Sequence, residues 1–178
     1  MERATPANAE QTDRASPSSA SPSPERETYF TLVRTHAVLA APFHRLFKAR
    51  GLSPALYNIL LVLRGHMQHD RKTGSEHHGV PVLRIGREML TREPDMTRLI
   101  ARLEKAGLVC RARCEHDRRI VFVRITPRGL ALLDALEPEI DAVHRSQFGG
   151  LSRDELRLLN ELLTRASGVD RREHHGDR

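Results

Sequence analysis

The sequence predicts a mainly α-helical fold with a small β-hairpin that stands as a wing beside a helix-turn-helix, flanked by a helical dimerisation region. Three observations predict it. Apolar residues recur at helical spacing in six stretches separated by Gly, Pro or Ser signals. One short stretch alternates at period two instead, with Val121, Val123 and Ile125 against Ile120, Phe122 and Arg124. The third is where the charge lies. Arg84 to Arg128 holds twelve Lys/Arg against six Asp/Glu, and this excess equals the +6 of the whole chain.

Composition sets the outer bounds. The 178 residues suffice for one domain with flexible ends. Hydrophobic content is 39%, aromatic content 4%, and there is no Trp. That is thin for a self-sufficient monomer and suggests helices that bury surface against a second copy. Two cysteines and no apolar leader argue for a cytoplasmic protein without disulfides. No run approaches the ~18 apolar residues that would suggest a membrane span. A localised positive field suits phosphate, because each neutralised phosphate releases condensed counterions.

Residues 1–27 are rich in Ala, Ser, Pro and Thr and are expected to be disordered, since they cannot bury enough apolar surface to offset ordering entropy. The stretch is too acidic for a transit peptide. Thr28–Ala49 is the first helix, with Leu32, His36, Leu39, Phe43, Leu46 and Phe47 at spacings of three and four. Pro42 is expected to kink it, and Gly51 to close it. Ser53–Pro54 is an N-cap followed by proline at the first helical position. The second helix runs to about Gly65 and is apolar nearly all round, so it should be central. Residues 66–79 read as a polar, histidine-rich loop.

Val82–Leu90 and Thr91–Gly107 are two short helices joined by a tight turn. In the second, Met96, Leu99, Ile100, Leu103 and Ala106 make one stripe, opposite Arg98, Ala101, Arg102 and Lys105. Pro94 is expected in its first turn, Asp95 near its positive end and Gly107 as its C-cap. Val109–Cys114 and the strand from Ile120 form the hairpin, with an apolar-free turn between them. Thr126–Pro127 opens a helix to about Gln147, and Pro138 should bend it. Ser152 and Glu155 form a capping box for a last helix to about Ala166. The tail 168–178 is expected to be flexible, and its His174–His175 pair solvated.

The strings Gly51–Leu63, Pro94–Val109 and Asp117–Leu133 (GLSPALYNILLVL, PDMTRLIARLEKAGLV, DRRIVFVRITPRGLALL) resemble the MarR family of bacterial regulators. The resemblance spans about residues 28–167. It implies a DNA-binding lobe over about 52–126 and dimerisation helices over about 28–50 and 127–167. It further implies a homodimer that binds double-stranded DNA at a pseudo-palindromic site, with half-sites ~34–36 Å apart. Most such proteins repress genes and let go of DNA when a small molecule binds. Carried over by position, Pro94, Asp95, Thr97, Arg98 and Arg102 would face the major groove. Arg119 would enter the minor groove, with Asp117 holding its guanidinium. Arg92 and Arg118, from the same basic segment, complete the candidate set. Arginine suits both grooves on physical grounds.

Other readings are set beside this one. An effector pocket is expected near the first two helices, with His36, His44 and Tyr57 as polar contacts. His66, His69, His77 and His78 could make a metal-responsive regulator on the same scaffold, His66 and His69 having helical i, i+3 spacing. Cys110 and Cys114 lie ~13 Å apart on a regular strand, too far to bridge, and are assigned to strand packing. A winged-helix module that docks an acidic protein is a further alternative. No phosphate-cradling glycine loop, carboxylate pair or HExxH motif supports an enzyme, and no cofactor is expected.

Overall fold

The computed structural model describes residues 23–74, 79–114 and 117–168. The expected disorder of residues 1–22 and 169–178 therefore lies outside the described residues. Among these described residues, six helices and three short strands follow in the order α1 (Pro24–Ala49), α2 (Pro54–Thr73), β1 (Val80–Pro81), α3 (Val82–Glu88), α4 (Met96–Lys105), β2 (Val109–Arg113), β3 (Val121–Ile125), α5 (Pro127–Phe148) and α6 (Arg153–Ser167). The architecture is mainly helical with one small antiparallel sheet. The described residues fall into two compact units that divide after Ala37.

α1 begins four residues before the expected Thr28. Ser23 Oγ accepts from the Arg26 N–H at 3.4 Å, and Glu25 and Glu27 sit at the positive helix end. The helical run passes Pro42 without a break. Its end is closed as expected. Gly51 takes φ 69°, its N–H donates to Lys48 O, and the Leu52 N–H donates to Phe47 O. Buried Phe47 and Leu52 seal that turn.

α2 is the core helix, with Leu56, Ile59, Leu60 and Leu63 almost fully buried. Ser53 caps it through the Leu56 N–H. It runs eight residues past the expected Gly65, so residues 66–73 are helical rather than loop. Met67, Gln68, Arg71 and Lys72 are all good helix formers. The first residue suited to a stop is Gly74, which takes the left-handed conformation at φ 68°.

α3 packs its Ile85 into the core and ends two residues before the expected Leu90. α4 begins at Met96 with Asp95 as its N-cap, so Pro94 precedes the helix and is not in its first turn. Ile100 and Leu103 are buried, whereas Ala106 is exposed and forms the C-cap. Gly107 follows at φ 71°. Its N–H reaches Glu104 O at 2.8 Å, and the Leu108 N–H reaches Leu103 O at 2.9 Å. The chain then turns directly into β2.

β3 is the middle strand, between β1 and β2, both antiparallel to it. Val109 pairs with Ile125 and Arg111 with Val123 on β2, and Val80 pairs with Val123 on β1. β1 was not expected. Two residues carry no readable alternation, and one is a proline, which an edge strand accommodates. α5 starts on the expected cap, Thr126 Oγ1 accepting from the Gly129 N–H at 3.1 Å, and continues past Pro138 to Phe148. The Ser152–Glu155 capping box opens α6, which buries none of its residues.

Candidate nucleic-acid interface

α4 presents one face to the core and one to solvent. Thr97, Arg98 and Arg102 lie on the solvent face. Asp95 orients the start of it. Its Oδ1 accepts from the Arg98 N–H at 3.1 Å, and its Oδ2 meets Arg98 Nε at 3.1 Å. One carboxylate thus caps the helix and steers an arginine. Pro94 and Arg92 are exposed in the turn before it. Arg102 has no ion pair among the described residues.

The wing is built on β2 and β3. Asp117 Oδ1 accepts from the backbone N–H of Arg119 at 2.9 Å, and the Ile120 N–H donates to Asp117 O at 3.0 Å. The aspartate therefore shapes the turn through the main chain, rather than gripping the Arg119 guanidinium as expected. Arg118 and Arg119 are both exposed. Wing and helix are tied together by Arg111, whose Nε donates to Glu104 Oε2 at 2.7 Å. That guanidinium holds the Glu104 carboxyl below the ordinary glutamate range, against a smaller opposing effect of burial.

Between α3, α4 and the wing lies an open concavity of about 1120 Å³. Four arginines reach its lining from four places: Arg87 on α3, Arg92 in the turn, Arg111 on β2 and Arg119 in the wing. Thr97 lines it too, and so does Leu83, which is 69% exposed. Of the residues expected at the interface, Arg92, Thr97 and Arg119 line this space. Pro94, Asp95, Arg98, Arg102, Asp117 and Arg118 do not. Arg87 and Arg111 were missed as site residues, although both stand in the basic segment. Nothing in a linear charge count says which arginines converge.

The other candidates sit apart from the concavity. His36 and His44 are exposed. Tyr57 stacks on Phe47 with ring centroids 4.6 Å apart, and burial pushes its phenol up, modulated by Arg64, Glu137 and Asp141. The histidine that joins this aromatic cluster is His144, 4.9 Å from Phe43. His66 Nε2 lies 2.7 Å from Glu88 Oε2, an acidic partner 22 residues away that spacing could not reveal. His69 is exposed, and His77 and His78 lie outside the described residues. No group of three or more His, Cys, Asp or Glu among the described residues is arranged to hold a metal. Cys110 and Cys114 are free thiols, and Cys110 is exposed opposite Arg124 rather than packed under the strand. No single helix among the described residues is long and apolar enough to cross a membrane.

Comparison with known proteins agrees with this geometry. Residues 75–121, from the end of α2 to the wing, match the model of the MarR family. The chain is 25% identical over 147 residues to the HTH-type transcriptional regulator MhqR of Bacillus subtilis (strain 168), covering 83% of this chain and 93% of the relative. The structure resembles Sco3205, a MarR family transcriptional regulator from Streptomyces coelicolor solved in complex with DNA (19% identity, TM-score 0.68, 84% of this chain and 90% of that one). It also resembles a MarR transcription factor from Planctomyces limnophilus at 36% identity and TM-score 0.60, over 81% of this chain and 98% of that one. With identity at that level along a relative's whole length, and with the helix-turn-helix and wing in place, the chain belongs to the MarR family of DNA-binding transcription regulators.

Proposed function

We propose that the protein is a homodimeric, sequence-specific repressor that binds a pseudo-palindromic operator and responds to a small molecule. The observation that carries the reading is the convergence of Arg87, Arg92, Arg111 and Arg119 on one concavity beside the exposed face of α4. An open groove of that charge beside a solvent-facing helix suits a duplex: arginines on phosphates position it, and α4 reads base edges in the major groove. The Streptomyces neighbour, solved with DNA, supports the partner. In this reading Arg98 and Arg102 contact bases, Arg119 enters the neighbouring minor groove with Arg118 beside it, and residues 52–126 form the DNA-binding lobe. The protein then catalyses no reaction and works in the cytoplasm.

The dimer is supported by apolar surface that one chain leaves uncovered. Tyr29, Phe30, Leu32, Val33 and Val38 on α1, and Leu158, Leu162 and Leu163 on α6, are exposed. Helices with that much uncovered apolar surface suit a second copy. No group of three or more His, Cys, Asp or Glu among the described residues favours the metal-responsive reading.

Selection of bound duplexes from a random pool tests the reading. A winning sequence with two-fold symmetry and half-sites about one helical turn apart is expected. Affinity should fall on the order of a thousandfold between 50 and 200 mM salt if about six phosphates are contacted. Replacing Arg98 and Arg119 together by alanine should abolish discrimination. Binding that ignores both salt and this double substitution would overturn the proposal.

A further inference from the structure

Asn58 is the only buried polar side chain among the described residues. It lies on α2 between Leu56 and the Ile59–Leu60 pair and is 8% exposed. A buried amide is costly unless bonded, and an apolar side chain would fill the same space without that cost. Its Oδ1 accepts from the Leu90 N–H at 2.7 Å. Leu90 is the second residue past α3, in the segment that turns the chain into α4. Eight positions further along α2, on the same face, His66 Nε2 meets Glu88 Oε2 at 2.7 Å. Arg84 Nε donates to the other oxygen of Glu88 at 2.9 Å. The core helix therefore holds the exit of α3 at two points, one through the main chain and one through a side chain.

Holding is needed there. α3 has 7 residues and α4 has 10, lengths at which a helix does not hold itself in water. The turn between them is open, with Leu90, Thr91, Arg92 and Pro94 all exposed. Neither Asn58 nor His66 lines the concavity.

We infer that Asn58 and His66 are positioning residues for DNA reading: through Leu90 and Glu88 they set the direction in which α4 leaves the turn. This rests on the reading of α4 as the base-reading helix. Neither residue touches DNA, so their removal should blunt discrimination between sequences while leaving the phosphate attraction intact.

The test uses the full chain as wild type, Asn58→Ala, His66→Ala and His66→Gln. Two probes are used: the duplex selected by the wild type and a scrambled duplex of equal composition. Binding anisotropy, amide exchange in the free protein and the thermal midpoint are measured. In Asn58→Ala the Leu90 amide should lose protection while Ile59 and Leu60 keep theirs. Affinity for the selected duplex should drop roughly tenfold, the scale of one lost buried hydrogen bond. Affinity for the scrambled duplex should change less than about twofold, since no phosphate contact is touched. His66→Ala should act in the same direction. His66→Gln, whose amide can still donate to Glu88, should restore discrimination.

Unchanged discrimination in both alanine variants overturns the inference. So does a parallel loss on both duplexes that tracks the thermal midpoint. Should Asn58→Ala not fold, the His66 variants decide: equal behaviour of Ala and Gln refutes the role, and rescue by Gln supports it. An empty selection with the wild type would sink the reading of α4 itself, whereas a populated one with indifferent variants sinks only the positioning role.

Discussion

Asp95 spends each carboxylate oxygen on a different task, one on the Arg98 N–H and one on the Arg98 guanidinium. The two are separable by substitution. Asp95→Ala should lower stability by about 1 kcal/mol in urea unfolding, the usual worth of an N-cap, and Asp95→Asn by a few tenths, because asparagine caps as well. The Asp95–Arg98 ion pair is exposed and contributes little to stability. Both variants should nevertheless weaken binding to a selected duplex, since Arg98 loses its tether. Glu88 offers a pH handle. Burial alone would raise its carboxyl, but hydrogen bonds and charge from Arg84 and His66 outweigh that and hold it below the ordinary glutamate range. A depressed carboxyl stabilises the folded state above its unfolded value, and that contribution fades as pH falls through the folded one. Acid unfolding of Glu88→Gln should therefore start from a lower stability at neutral pH and show a shallower loss below the glutamate range. A pH profile parallel to wild type would rule out this linkage. Asp95 was legible as a helix-start residue from Pro94–Asp95 alone. Glu88 was not, because one of its two partners, His66, comes from another helix.

At the scale of elements, α4, β2 and α5 meet in a close junction. Thr126 Oγ1 donates to Gly107 O at 2.8 Å and accepts from the Gly129 N–H, while the Thr126 N–H donates to Leu108 O. A Cβ on Gly129 would come within 2.4 Å of Leu108 O and 2.8 Å of Ile125 Cγ1. Gly129→Ala should thus destabilise the fold by about 1–3 kcal/mol, the range for overpacking. Gly65→Ala should do the reverse. That glycine is inside α2, with nothing within 4 Å of the added carbon. A gain of about 0.4–1 kcal/mol is expected from reduced chain entropy. Thermal or urea midpoints moving the same way in both variants would contradict this account. Capping signals at Ser53, Thr126 and Ser152 were readable because a cap is local chemistry. The end of α2 was misread because histidine and polar residues resemble loop composition, yet nothing stops a helix there before Gly74.

At the scale of the molecule, α6 is the exposed question. It buries no residue, and Leu158 and Leu162 are 55% and 50% exposed. If the proposed homodimer forms through α6, Leu158→Glu with Leu162→Glu should shift sedimentation from dimer to monomer and shorten the protected DNA site to one half-site. A variant that still sediments as a dimer would move the interface elsewhere. Periodicity, caps and the clustering of basic residues are properties of neighbouring positions, so they by themselves determined the helix order, the hairpin, the family resemblance and the basic segment proposed to meet DNA. Which arginines share the concavity, that Asp117 bonds the main chain, that Val80 and Pro81 join the sheet, and that Asn58 and His66 reach α3 were decided only by the tertiary structure. Each depends on a partner tens of residues away, and no local pattern encodes the distance between two segments that meet only once the core is packed.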